Sequence, residues 1–286
     1  MKYSISERIF IWINTILLVI FAFICLFPFL HVVAKSFSSN EAITSGSVYM
    51  FPEGFQIQSY LRIFKTSQMI TSMKFTILLT ITSVALSLVS SVLIAYPLSR
   101  SNLRGKKIIT IIITFTMYFS GGTIPNYMLI KNLGLLDTAA VLVLPAMIST
   151  YNVIIMKTFF MSIPESLIEA ASIDGCNPIK TLCKIVLPLS KAMLATMTLF
   201  YGVSRWNAYQ DALFYTTSLD IAPLQLVLRN IINSAEINDI NAEMEFIQPE
   251  SLKSATLVFA TVPILLVYPW LQKYFVKGTM VGAVKE

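Results

Sequence analysis

The chain has 286 residues, 56% hydrophobic and only 13% charged, with a mean hydropathy of +0.72. A soluble domain is about a quarter charged, so this composition is that of an integral membrane protein. The formal net charge is +6, but the basic residues lie in short segments between apolar runs. They form no basic stripe with an aromatic platform, which argues against nucleic-acid binding. Cys25, Cys176 and Cys183 are too few and too scattered for a disulfide framework. With His31 far from them, they also fall short of the roughly four ligands a zinc site needs, and they read as reduced thiols.

In chain order, residues 9–33 form a first apolar run, long enough to cross a bilayer. Lys2 and Arg8 precede it as they would in a secretory leader. The run is too long for one and lacks a small-residue cleavage site, so it reads as a retained first span. Residues 36–70 are mixed and polar, an external loop with Pro52 and Gly54. A second span follows over 73–98, rich in Ser and Thr able to bond back to their own helix, and then Arg100, Arg104, Lys106 and Lys107. The third span, 108–124, ends in Ser120-Gly121-Gly122-Thr123-Ile124-Pro125. Glycines and proline there predict a break, and non-helical backbone at membrane depth needs the shelter of protein or a water-filled cavity. The fourth span, 139–160, contains Pro145 as a predicted kink.

Residues 162–190 differ in character. Ser162-Ile-Pro-Glu165 reads as a capping box with Pro164 in the first turn. Leu167, Ala170, Ala171 and Asp174 recur at helical spacing on one face. Gly175 is a natural helix stop. Asn177-Pro178 reads as an immediate restart, Asn as cap and Pro in the first helical position, with the second short helix running to Leu187-Pro188. A fifth span, 192–215, carries Arg205, Trp206, Asn207, Gln210 and Asp211. Charged groups inside a span are costly and usually face a bundle interior or a cavity. Residues 216–252 form a second, acidic external segment. The sixth span, 254–272, holds Pro263 and Pro269, and a tail covers 273–286.

With the N-terminus inside, six spans place 13 Lys and Arg residues in inner segments and 7 in outer ones. That satisfies the positive-inside rule, with both termini cytoplasmic and residues 162–190 in the cytosol. No GxxxxGK[ST] phosphate loop and no nucleophile–base pair occurs in the chain, so it reads as a non-enzyme driven by a partner.

Glu169-Ala170-Ala171, Gly175, Ile185, Leu187 and Pro188 together resemble the cytoplasmic EAA loop of ABC-importer permeases. Asp174-Gly175 takes the form common among sugar importers. Two further stretches carry the same resemblance. FYGVSRWNAYQDALFY, at 200–215, is similar to the fifth span of oligosaccharide permeases, and YPWLQKYFVKGTMVGAVKE, at 268–286, to their C-terminal ending. The resemblance covers the whole chain and points to the maltose-type carbohydrate permeases, in particular the branch serving complex polysaccharides. Departures are Ala192 where Pro is common, Cys183 where an aromatic is frequent, and Arg205 where His is frequent.

The resemblance implies an all-α membrane protein of the type I importer fold, with six transmembrane helices and a cytoplasmic coupling helix. It implies a cell-membrane permease that pairs with a second, homologous permease, two ATPase subunits and an extracellular solute-binding protein, and that moves an oligosaccharide. ATP and Mg would be bound by the ATPase partners and no cofactor by this chain. Glu169, Ala170, Ala171, Asp174, Gly175 and Pro188 would form the ATPase-coupling site, and Gly278, Gly282 and Lys285 of the tail would touch the same partners. Tyr118, Asn126, Arg205, Trp206, Asn207, Tyr209, Gln210 and Asp211 are the candidates for the sugar pathway, as aromatic faces, amides and charges. Arg205 would suit an anionic sugar such as a uronide if its charge faces the pathway; otherwise it pairs with Asp211 or lies near the membrane surface. The alternatives are a permease for peptides or amino acids, which share the EAA loop, a stand-alone ion-coupled carrier using Asp211, or a scaffold without transport.

Overall fold

A computed structural model describes residues 4–240 and 250–283, the side chains of 234–240, 268 and 270–283 excepted. Helices build it, and no strand occurs among the described residues. The chain divides into two compact units, Met1–Ile70 with Leu228–Val262, and Thr71–Val227 with Pro263–Glu286.

In the first unit, α1 (Ile5–Ser36) starts at a capping box that the sequence reading passed over. Glu7 N donates to Ser4 Oγ at 3.3 Å and Ser4 N to Glu7 Oε2 at 2.7 Å, so both free amides are satisfied at the water-facing end. Its apolar side chains between Ile9 and Leu30 are exposed, as expected of a helix whose solvent is lipid. The segment 36–70 is a folded cap rather than a plain loop. It holds α2 (Asn40–Thr44) and α3 (Gln58–Lys65), and its turns are closed by polar groups. Ser38 Oγ accepts from Glu53 N, the Ser38 carbonyl accepts from Gln56 Nε2, and Tyr60 Oη donates to Ser36 Oγ at 2.8 Å. Phe37 stacks between Phe55 and Tyr60, at 5.6 and 4.9 Å. Ser59 Oγ donates to Ser251 Oγ at the start of the last helix.

Helix α4 (Ser67–Ser99) is a single long helix that belongs to the second unit from Thr71 onward. Ser72, Thr76, Ser83, Ser87 and Ser91 are buried on it, a small-residue stripe at helical spacing of the kind that lets helices approach closely in a membrane. Thr76 Oγ1 donates to the Ser72 carbonyl, the back-bond predicted for this span, and accepts from Leu224 N at 2.8 Å. Val92, Ala95 and Tyr96 of α4 share one core with Val153, Met156 and Phe160 of α7 (Thr150–Met161). Ile163, Leu182, Val186, Met193, Met197 and Tyr201 complete it.

The predicted third span is broken. Helix α5 (Lys106–Tyr118) ends, and α6 (Thr123–Asn132) leaves at 113°. Gly122 makes the corner at φ 88°, ψ 171°, a conformation essentially reserved for glycine. Pro125 is tolerated because it falls in the first turn of α6.

The stretch 139–160 is not one helix. A 3₁₀ turn at Ala139–Leu142 and an irregular passage precede α7, whose N-cap is Ser149. Pro145 in that passage supplies no N–H, so it interrupts the helix instead of merely kinking it.

The fifth span also differs from its expected bounds. α11 (Lys191–Asn207) stops at Ala208, and α12 (Gln210–Tyr215) follows as a separate short helix. The chain enters α11 through an 83° bend after Leu189.

The last helix, α14 (Glu250–Ala283), carries Pro263 and Pro269 within it and continues through most of the stretch read as a tail. The segment 216–252 contains a further helix, α13 (Leu224–Ile240). Among the described residues three helices are long and apolar enough to cross a membrane: α1, α4 and Glu250–Val267 of α14. Counting each bent pair as one span makes five.

Candidate functional site

The predicted coupling residues lie on a helix–corner–helix knob. Helix α8 (Glu165–Ile173) ends in a complete Schellman motif, with Cys176 N donating to the Ala171 carbonyl at 2.9 Å and Gly175 N to that of Ser172 at 3.1 Å. Gly175 adopts φ 75°, the left-handed value this motif requires. The restart falls at Asn177, whose Oδ1 accepts from Lys180 N at 2.8 Å, with Pro178 in the first turn of α9 (Pro178–Thr181). The helix then widens into a π turn at Leu182–Val186 before α10 (Leu187–Leu189). Pro188 accounts for the widening, since its missing N–H leaves the Lys184 carbonyl without an α-helical donor.

The capping box expected at Ser162 does not form. Ser162 closes α7 instead, its Oγ donating to the Phe159 carbonyl at 2.7 Å, and Glu165 accepts from Ser101 Oγ at 2.8 Å. Pro164 at the cap lacks a side-chain acceptor, and Glu165 stands in the first turn of α8.

Glu169, Ala170, Asp174, Gly175 and Pro188 are exposed. Ile173 and Ile179 flank the corner at 87% and 72% exposure. Ala171 is the exception, buried within this chain at 4%. Its small side chain serves packing within the chain, and that of Ala170 is exposed. Two isoleucines held in water on a tight polar corner form a surface suited to insertion into a partner's cleft. Gly278 and Gly282 lie on α14 where only backbone is described, and Lys285 lies outside the described residues.

The pathway candidates do not converge on one cavity. Arg205 is 6% exposed and bonded to Asp211 in bidentate fashion, Nη1 to Oδ2 at 2.5 Å and Nη2 to Oδ1 at 3.0 Å. Its Nη1 also donates to the Leu142 carbonyl, capping the 3₁₀ turn. The pair therefore bridges both irregular passages, and its net charge is zero. These two residues line a cavity of about 100 Å³ with Ser83, Ser87, Tyr201 and Ser204. Ser83 Oγ and Arg205 Nε are buried there without a protein partner. A polar cavity of this size has room for water, which would satisfy both groups.

Trp206 is buried and borders a different, apolar groove of about 620 Å³ with α4, α11 and the Pro263–Val267 part of α14. Tyr209 packs against the core around Leu142, Ala212 and Leu226. Asn207 donates to the Val203 carbonyl of its own helix and is exposed, as is Gln210. Tyr118 and Asn126 are exposed on opposite sides of the α5–α6 corner.

Ser83, Ser87 and Tyr201 were absent from the sequence-derived list. The available signal was the Ser83–Ser87–Ser91 repeat of four, with Ser91 and Tyr201 sharing a 2.6 Å hydrogen bond.

A second polar staple holds Asp137, a non-glycine residue at φ 56°. Its carboxylate accepts from Thr217 N, Ser218 N and Ser218 Oγ. These bonds, that from the Ser218 hydroxyl first, lower its pKa to about 2.

Bilayer-length apolar helices, with irregular passages held by a buried ion pair, are those of a membrane protein. Residues 4–281 match the family described as binding-protein-dependent transport system inner membrane component, and the chain belongs to that family. It is 43% identical over 272 residues to the polygalacturonan/rhamnogalacturonan transport system permease protein YtcP of Bacillus subtilis (strain 168), covering 94% of this chain and 95% of that protein. It is 40% identical over 265 residues to protein LplC of the same strain, covering 92% and 90%. Among solved structures it is similar to a chain of a bacterial ABC transporter involved in import of the acidic polysaccharide alginate. The TM-score is 0.85 at 35% identity, covering 96% of this chain and 99% of that one.

Proposed function

We propose that this chain is one of two permeases in an ATP-driven ABC importer that carries an oligosaccharide across the cytoplasmic membrane. The observation that carries the reading is the exposed Glu169–Ile179 corner, ordered by its own Schellman turn and presenting Ile173 and Ile179 to a partner. Relatives named for pectic and alginate polysaccharides support the substrate class. An acidic sugar rests on those names alone, because the Arg205 charge is already matched by Asp211.

Six crossings with both termini inside are part of this reading, with the bent α5–α6 pair, the 139–161 passage and α11 each making one. The corner docks in an ATPase cleft, Glu169 at its rim facing a basic residue, and Gly278, Gly282 and Lys285 approach the same subunits. ATP and Mg bind in the ATPases, whose closure shifts the corner and opens the pathway outward; hydrolysis resets it. Exposed Tyr118, Asn126, Asn207 and Gln210 are the sugar-facing groups, while Arg205, Asp211, Trp206 and Tyr209 shape the walls.

The test is ATPase activity of the purified complex with solute-binding protein and candidate sugars added in turn. Stimulation by an oligosaccharide-loaded binding protein supports the reading. A complex without an ATPase partner, or one answering only to peptides, contradicts it.

A further inference from the structure

On the reading of this chain as an ATP-driven permease, we propose that Glu165 is the positioning residue that ties the coupling helix to the second span through Ser101. Glu169 is exposed and borders the same cavity as Glu165. Glu165, one turn earlier, is bonded across 64 residues of sequence to the loop that ends α4.

The cytoplasmic end of α4 is fixed on one side by Arg100. Its guanidinium donates through Nη2 to the Phe160 carbonyl at 3.1 Å and through Nε to Ser99 Oγ at 3.0 Å, and it lies 5.0 Å from the Tyr96 ring centroid. Tyr96 meets Phe160 edge-on, with centroids 6.4 Å apart. This side joins α4 to the end of α7.

Next to this anchor, with Tyr96 and Arg100 in its wall, a cavity of about 610 Å³ lies between α4 and α8. Leu93, Pro97 and Ser101 border it from α4 and its loop, and Glu165, Ile168 and Cys176 from the knob. Among the described residues, no other hydrogen bond joins α4 or its loop to α8. Apolar contact is non-directional and lets helices slide. The Ser101–Glu165 bond, 2.8 Å between two exposed side chains, is directional and charge-assisted. Ile168 of α8 also packs against the core that α4 shares, so the directional part of any displacement of α8 reaches α4 through Ser101 and Glu165. Helix α4 carries the serine stripe that lines the polar cavity at Arg205, so this bond connects the partner-facing corner to the helix bordering the irregular passages.

The experiment uses the full complex, with both permeases, ATPases and binding protein, reconstituted in liposomes. Oligosaccharide moved per ATP hydrolysed is the readout. Glu165→Ala and Ser101→Ala are each expected to lower that ratio about fivefold or more, a coupling loss of ordinary size, while assembly and basal ATPase stay near wild type. The double variant is expected to lose no more than either single one, and the exchanged pair Glu165→Ser with Ser101→Glu to regain pumping. Additive losses, an exchanged pair that regains nothing, or single variants that pump normally would overturn the link. Wild-type complex that moves no oligosaccharide would count against the importer reading, whereas wild-type pumping with indifferent variants counts against the link alone.

Discussion

Arg205 and Asp211 stand six residues apart on either side of the break between α11 and α12, and their side chains close on each other through two hydrogen bonds. The pair holds the end of one helix, the start of the next and the Leu142 carbonyl at a single point. Removing one partner strands a charge, so Asp211→Ala is expected to cost about 3 kcal/mol, the lower end for a buried pair because Asp211 retains some exposure. Thermal unfolding of the purified complex measures it. The double variant Arg205→Met with Asp211→Leu should lose less than either single change, since neither charge is then left unpaired.

Gly175 sits at φ 75° with open space where a Cβ would be. Gly175→Ala therefore carries a backbone cost alone, about 1 kcal/mol, and that cost falls on the geometry of the corner. Uptake is expected to fall with membrane insertion unchanged, and Gly175→Asn to retain more uptake than the alanine variant, because Asn tolerates the left-handed conformation. Uptake assays paired with quantitation of the membrane fraction distinguish the two effects.

Asp137 gives a pH prediction with a definite sign. Its folded pKa of about 2 lies below the ordinary 3.8, so its staple contributes fully above pH 4 and is lost as pH falls towards 2. Asp137→Ala should unfold at a lower temperature than wild type at pH 7, and the difference should shrink below pH 4. Asp137→Val should be worse, because a β-branched residue resists φ 56°. Melting curves at pH 7 and pH 3 decide it.

The sequence displayed the local chemistry of the coupling corner well. Gly175, Asn177 and Pro178 each act through their own backbone, and backbone preferences are visible in a single residue. The capping box at Ser162 failed because Ser162 had a competing role, closing α7 through the Phe159 carbonyl. Hydropathy marked where apolar runs lie but not whether each is one helix. Residues 139–148 are apolar throughout, yet beyond the 3₁₀ turn they are irregular up to Ser149, and Leu142 is held there by a side chain 63 residues away. The Arg205–Asp211 pairing was legible as one option, being close in sequence. The Ser101–Glu165 bond was not, since nothing local in either residue specifies it.

Glu169→Lys is expected to abolish transport while the protein still inserts normally, because it reverses a charge at the exposed rim of the corner. Assembly with the ATPase, read by co-purification, should fall with it. Normal uptake in this variant would remove Glu169 from the coupling role.

The most direct measurement is uptake of labelled oligosaccharide into liposomes holding the full complex, with ATP supplied on the ATPase side. ATP-dependent accumulation that needs the binding protein is the result expected of an importer permease. Accumulation that continues without ATP or without the ATPase subunits would contradict it, and would point to a carrier working alone.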